Sequence, residues 1–183
     1  GDTERLFLSK NVKIEQDDAT IYPHKGVDVN NKKNIAYIND GFTMMSDEFN
    51  VSGNKMVIDI DEDKSTMSGN ILFTRVEKKD FSDKTVDERE KKLRSSVTTL
   101  SCERANYSEK KDKHYLEVYE NVHVIQQDKE IFGDSGVYNE ETGIYIIEGN
   151  VKVVLNDLAW MLTDETKEDI GNEDMNSTLS QET

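Results

Sequence analysis

More than thirty residues of this chain recur eighty positions away, and that self-similarity limits the fold more than any single motif does. When Glu120 to Val154 is laid on residues 40–74, Gly133 falls on Gly53, Val137 on Val57, Glu141 on Asp61, and Gly149-Asn150 on Gly69-Asn70. Two apolar segments and two polar turns coincide without a gap. Starts of the Asn-Val type recur at Asn11-Val12, Gly41-Phe42, Asn70-Ile71, Asn121-Val122 and Asn150-Val151, with spacings of 30, 29, 51 and 29. The long spacing holds an insertion.

Within the unit the apolar residues alternate. Met67, Ile71 and Phe73 keep one parity while Ser68, Asn70 and Thr74 take the other, which is the period of a strand with one dry and one wet face. The class is therefore all-β, built from repeated strand-turn-strand units. Strands are expected over Leu6 to Leu8, Val12 to Ile14, Ile35 to Ile38, Phe42 to Met45, Phe49 to Ile60, Ser65 to Arg75, Thr98 to Tyr107, Tyr115 to Tyr119, and the organising stretch, with a last one over Leu158 to Leu162. Pro23, the single proline, cannot donate to a ladder and marks a strand end or edge. Gly53, Gly69, Gly133 and Gly149 mark bulges or bends.

One domain is expected over residues 1–163. It is interrupted at 78–97 by a charged insertion whose Asp87/Lys91, Glu88/Lys92 and Glu90/Arg94 pairs suit a short surface helix. Residues 164–183 are acidic, poor in aliphatics and read as a disordered tail. A hydrophobic content of 34% and a mean hydropathy of -0.76 fit thin sheets with one wet face. The chain begins with Gly1, so removal of a signal peptide or anchor is an expectation.

A net charge of -15 argues against nucleic acid, whose phosphates require a Lys/Arg surplus, and against docking flat on an anionic bilayer. Cys102 is the only cysteine, which excludes an internal disulfide, and nothing near it in sequence suggests activation. Asp59, Asp61 and Asp63 occupy positions 1, 3 and 5 of a calcium loop, but Lys64 stands at the glycine position and Asn70 at the glutamate position, so a solvated hairpin is expected. Gly133-Asp134-Ser135-Gly136 copies the letters around a serine nucleophile, yet the repeat sets it on a strand and His24, His114 and His123 are each isolated. No zinc spacing or phosphate-binding glycine loop is present, so neither a catalytic site nor a cofactor is expected.

There remain the apolar rows: Phe42, Met44, Val51, Met67, Ile71, Phe73, Val122, Val124, Ile131, Ile147, Val151 and Val153. They either fill a core or, in a sheet folded over on itself, line a cavity.

The tyrosine before an acidic turn, in Tyr107-Ser108-Glu109 and Tyr138-Asn139-Glu140-Glu141-Thr142-Gly143, followed by Gly149-Asn150-Val151, resembles the OstA-like repeat of the lipopolysaccharide-transport LptA/LptC group. Ile35 to Arg75 matches more loosely through Ser68-Gly69-Asn70-Ile71, and the likeness spans about two thirds of the chain. The resemblance implies an elongated, open antiparallel β-jelly roll that is periplasmic, either soluble or anchored through a segment outside this sequence. It also implies a non-enzymatic role, with the acyl chains of lipopolysaccharide (its lipid A part) held in the interior. As partners it implies other Lpt-type jelly rolls, or copies of itself, joined head to tail by strand pairing. The negative charge suggests that the headgroup stays outside, with water or divalent ions. Readings from other classes are a structural or adhesive β-repeat protein with a filled core, and a carbohydrate-active jelly roll.

Overall fold

The computed structural model describes residues 4–16, 19–47, 49–75, 96–109, 114–139 and 144–155. Among these residues the chain is all-β, with fourteen strands, every pairing antiparallel, and no helix. In chain order the strands are β1 (Arg5–Ser9), β2 (Ile14–Gln16), β3 (Ala19–Pro23), β4 (Gly26–Asn30), β5 (Ile35–Ile38), β6 (Phe42–Met45) and β7 (Phe49–Gly53). They continue with β8 (Lys55–Asp59), β9 (Lys64–Arg75), β10 (Thr98–Glu109), β11 (His114–Gln126), β12 (Lys129–Asn139), β13 (Ile144–Glu148) and β14 (Lys152–Leu155).

The ladder forks at β9. Lys64 to Ser68 pairs with β8, which leads through β5 and β4 to β1, whereas Leu72 to Arg75 pairs with β7, which leads through β6 and β3 to β2. At the other end β12 forks likewise, Ser135 to Asn139 pairing with β13 and Lys129 to Phe132 with β14. The long strands β9 to β12 thus cross from one sheet into the other. The result is an open two-sheet jelly roll that never closes into a barrel.

Each crossing needs a corner, and the corners carry the residues that announced the repeat. Lys10 and Asn11, Gly69 and Asn70, Glu120 and Asn121, and Gly149 and Asn150 form consecutive pairs with φ between 46° and 80°. Asn tolerates this left-handed region better than most residues and Gly enters it freely, so an Asn or Gly-Asn start is what two such φ angles in succession favour. The β10–β11 register slips between Ser101 and Arg104, and the β11–β12 register slips between Tyr119 and Val122.

The eighty-residue repeat is structural. In register, β7 corresponds to the first half of β12, β8 to its second half, and the two halves of β9 to β13 and β14. The corner bond from the Asn54 N–H to the Gly69 carbonyl, 2.9 Å, recurs between the Asp134 N–H and the Gly149 carbonyl at the same distance. One expectation is corrected here. Phe49 to Ile60 is two strands, because Asn54 sits at a corner, accepting from the Gly41 N–H at 2.7 Å while donating to Gly69. Pro23 ends β3, where its missing donor costs the ladder nothing inside the strand.

The core lies between the sheets. Met56, Met67 and Val118 of one sheet and Ile21, Phe42, Met44 and Val124 of the other are fully buried. Each such side chain contributes about 1.5–3 kcal/mol through burial. Residues 76–95, most of the insertion expected at 78–97, lie outside the described residues, as do the strand expected over 158–162 and the tail at 164–183.

Candidate functional site

The twelve apolar positions all lie on strands or beside a corner, but their environments divide them. Phe42, Met44, Met67 and Val124 are 0% exposed, and Val51, Ile71, Phe73 and Val122 are at most 3% exposed, so these eight pack against one another between the sheets. Ile131 and Ile147 are only partly buried against that cluster. Val153, opposite Ile131 on β14, and Val151 just before that strand are each 51% exposed. Among the described residues the interior is therefore packed in its centre and half-exposed at its C-terminal end, where β13 and β14 are the outermost strands of the two sheets.

Along the side away from the corners, side chains from the strand tips meet across the gap. Phe49 stacks on Phe73 at 5.4 Å between ring centroids, and they face Tyr107 at 6.0 Å and Tyr138 at 5.2 Å respectively. Nearer the N-terminus, Gln16 donates through Nε2 to Asp63 Oδ1 at 3.1 Å and accepts from the Ser65 hydroxyl at 3.1 Å. Nearer the C-terminus, the Tyr145 hydroxyl donates to Gln126 Oε1 at 2.8 Å, with Lys129 Nζ 5.9 Å from the centre of the tyrosine ring. Burial pushes the Tyr145 hydroxyl up to about 12, against the opposing field of Arg75, and pushes the Lys129 ammonium below its ordinary range.

These contacts expose a row that the apolar pattern of the sequence leaves out. Arg75, Thr98, Gln126 and Lys129 are successive cross-strand partners on the last rung of β9 to β12. Arg75, Thr98 and Gln126 are 2%, 3% and 5% exposed. The signal was parity: Arg75 continues Ile71 and Phe73, Gln126 continues Val122 and Val124, and Lys129 precedes Ile131 by two.

The motifs considered in the sequence resolve locally. Asp59 Oδ1 accepts the amides of Asp61 and Glu62 at 3.2 and 3.1 Å, so that carboxylate closes the β8–β9 hairpin. Asp61 accepts from Asn34 Nδ2 and Asp63 from Gln16, so the other two carboxylates are also engaged by protein donors. Gly133 to Gly136 lies within β12, with the Asp134 carboxylate accepting from Asn150 Nδ2 at 2.7 Å. Cys102 is buried beside the β10 irregularity, its Sγ 3.3 Å from the Arg104 carbonyl, and burial pushes the thiol up to about 11. His123 contacts Glu130 at 2.9 Å and stacks on Phe132 at 4.2 Å between centroids. Both rings border an outer groove of about 750 Å³ that follows the corners past Asn70, Asn121 and Asn150.

No family model matches the sequence, and no curated protein matches it. Among solved structures, the fold is similar to that of LptH, the LptA-homologous periplasmic component of the conserved lipopolysaccharide transport device from Pseudomonas aeruginosa. The TM-score is 0.58 at 14% sequence identity, covering 78% of this chain and 100% of that one. That likeness shows the fold.

Proposed function

We propose, from the premise that this chain is an LptA-like β-jelly roll, that it is a non-enzymatic periplasmic lipid-transport protein. It carries or bridges lipopolysaccharide toward the outer membrane and holds acyl chains against its apolar interior. The observation that carries this reading is the continuity of the inner row. Apolar side chains run across neighbouring strands from the packed centre through Ile131 and Ile147 to Val151 and Val153, where the row ends half-exposed.

Each methylene moved from water onto such a surface is worth about 0.8 kcal/mol, so a fatty chain binds there without polar contacts. It enters at the C-terminal end, where the row is open, and goes deeper only as the two sheets part. β1 and β13 end one sheet and β2 and β14 the other, which offers edges for strand pairing with a neighbouring jelly roll or a second copy.

A photo-crosslinking amino acid at Ile147, Val151 or Val153 should capture the lipid in a lipopolysaccharide-making host, and one at Lys152, which faces outward with its Nζ 5.6 Å from the Phe132 ring centre, should not. Equal capture at all four positions defeats the reading. The eight positions at 3% exposure or less favour a second reading, a structural or adhesive β-repeat protein whose core is simply full. Native mass spectrometry separates the two, because a full core never co-purifies with lipid.

A further inference from the structure

The groove outside the corners lies between two rows of side chains. The first row is made at the corners themselves, where β9 supplies Asn70, β10 Glu103, β11 Asn121, β12 Asp134 and the turn from β13 to β14 Asn150. The registers set these side by side. Glu103 falls in the slip that faces Gly69 and Asn70 on one flank and Asn121 on the other, and Asp134 falls in the next slip, facing Asn121. Asn150 Nδ2 donates to Asp134 Oδ2 at 2.7 Å. Amide and carboxylate therefore alternate along the row, and with neighbouring strands about 4.8 Å apart it runs for about 19 Å.

The second row stands two residues from each corner. Leu72, Ser101, His123 and Phe132 are successive cross-strand partners on the outer face. Leu72 is 44% exposed, and the His123 ring, held by Glu130 at 2.9 Å, lies nearly parallel to Phe132 with 9° between the planes. The groove thus has one wall of amides and carboxylates and one that is mainly apolar and aromatic. Its volume of about 750 Å³ falls within the range of small-molecule sites.

These walls select a guest by exclusion and by fit. The lining holds no lysine or arginine; Arg104 nearby is ion-paired with Glu120 at 2.6 Å, so Glu103 and Asp134 repel an anionic guest. β9 to β12 are each paired on both sides, so an extended peptide finds no free strand edge there. What fits is an uncharged molecule with hydroxyls on its rim and C–H surface on its faces. Amides both donate and accept, and a carboxylate accepts from neighbouring hydroxyls with charge-assisted strength. Among the described residues no hydrogen bond or ion pair engages the side chains of Asn70, Ser101, Glu103 or Asn121. Asp134 and Asn150 hold each other in place, and the second carboxylate oxygen of one and the amide carbonyl of the other keep acceptor capacity.

We infer that this groove binds an uncharged oligosaccharide lying across β9 to β12, its hydroxyls on Asn70, Glu103, Asn121 and Asp134 and its C–H faces on Leu72 and the His123–Phe132 stack. The site is on the outer face, apart from the apolar interior, and does not depend on the lipid-carrier reading above.

The test is titration calorimetry of the full chain with the neutral oligosaccharides cellohexaose, maltohexaose, mannohexaose and chitohexaose, and with the anionic hexagalacturonate. At least one neutral chain is expected to bind with a Kd of about 1 mM or tighter, and hexagalacturonate at least about tenfold more weakly than that chain. Glu103→Gln should weaken the neutral binding about tenfold, the scale of one charge-assisted hydrogen bond. Asn121→Gly should weaken it about threefold, since glycine keeps the left-handed corner and removes only the amide. Glu62→Gln, which removes the same charge at the β8–β9 hairpin, should change nothing. Lipid capture at Val153 should be the same in Glu103→Gln as in the native chain, so the two readings fail separately. Binding of none of the neutral sugars overturns the inference, as does hexagalacturonate binding as tightly as any of them, or native affinity in both Glu103→Gln and Asn121→Gly.

Discussion

The centre of the sandwich and its C-terminal end are written in the same residues and finished differently. Val122 and Val124 on β11 are 1% and 0% exposed, whereas Val153, reached from Val124 through Ile131 two strands away, and the nearby Val151 are each 51% exposed. The difference is neighbours. β11 has a strand on either side and an opposing sheet above, while β14 pairs with β12 and, among the described residues, has no strand on its other side. An apolar row therefore means core where both sheets extend past it, and contact surface where they stop.

The sharpest way to break this comparison is to truncate one side chain in each region. Phe42→Ala, at a position with no exposure, should cost about 3–5 kcal/mol by urea unfolding, and Val153→Ala less than about 1 kcal/mol. Comparable losses would mean that the end is as firmly packed as the centre.

The corners give a second contrast. Gly69 has φ +80°, and an added Cβ would lie 2.8 Å from Asn54 Nδ2, so Gly69→Ala should cost about 1–2 kcal/mol. Gly149→Ala meets a similar φ of +72° beside Asp134, but in a strand pair with fewer neighbours to hold it, and a smaller loss in the same unfolding assay is expected.

Tyr145→Phe should cost about 1 kcal/mol by leaving the buried Gln126 without that hydroxyl. Faster amide exchange should be confined to β13, and exchange spreading to β10 would show that the end is not an independent region.

The smallest effect is alkaline. The folded Cys102 thiol holds its proton up to about 11 against an ordinary 9.0, and Tyr145 up to about 12 against 10.0. Their contributions are therefore fully present below pH 9 and pH 10 and are lost as pH rises through about 11 and 12. Cys102→Ala should flatten the lower part of that decline and Tyr145→Phe the upper part.

Much of this fold was legible because the bends and the strands leave different marks. Positive φ selects Gly and Asn, so Asn11, Asn70, Asn121 and Asn150, which the sequence marks as unit starts, fall at corners, and Gly69 and Gly149, expected at bulges or bends, stand beside two of them. Parity assigned Met67, Ile71 and Phe73 to one face, and the structure buries all three. The Asn54 corner was lost inside a run of strand-forming residues, because its φ is not positive and its defining bonds go to Gly41 and Gly69, which are remote in sequence. The division of the twelve apolar positions was not legible at all, since exposure depends on where a sheet ends. The rung of Arg75, Thr98, Gln126 and Lys129 was hidden for another reason: Arg75 and Lys129 stand at strand tips, where a charged residue ordinarily means water.

The corner pairs have one further consequence. Because the bends of the long strands fall on a common line, the two sheets relate to each other as covers to a spine. Changing the angle at that spine widens the space between them while the hydrogen-bonded pages of each cover stay intact. If the carrier reading proposed above holds, capacity depends on a single opening angle, and guests of different girth are taken in without unlacing a strand.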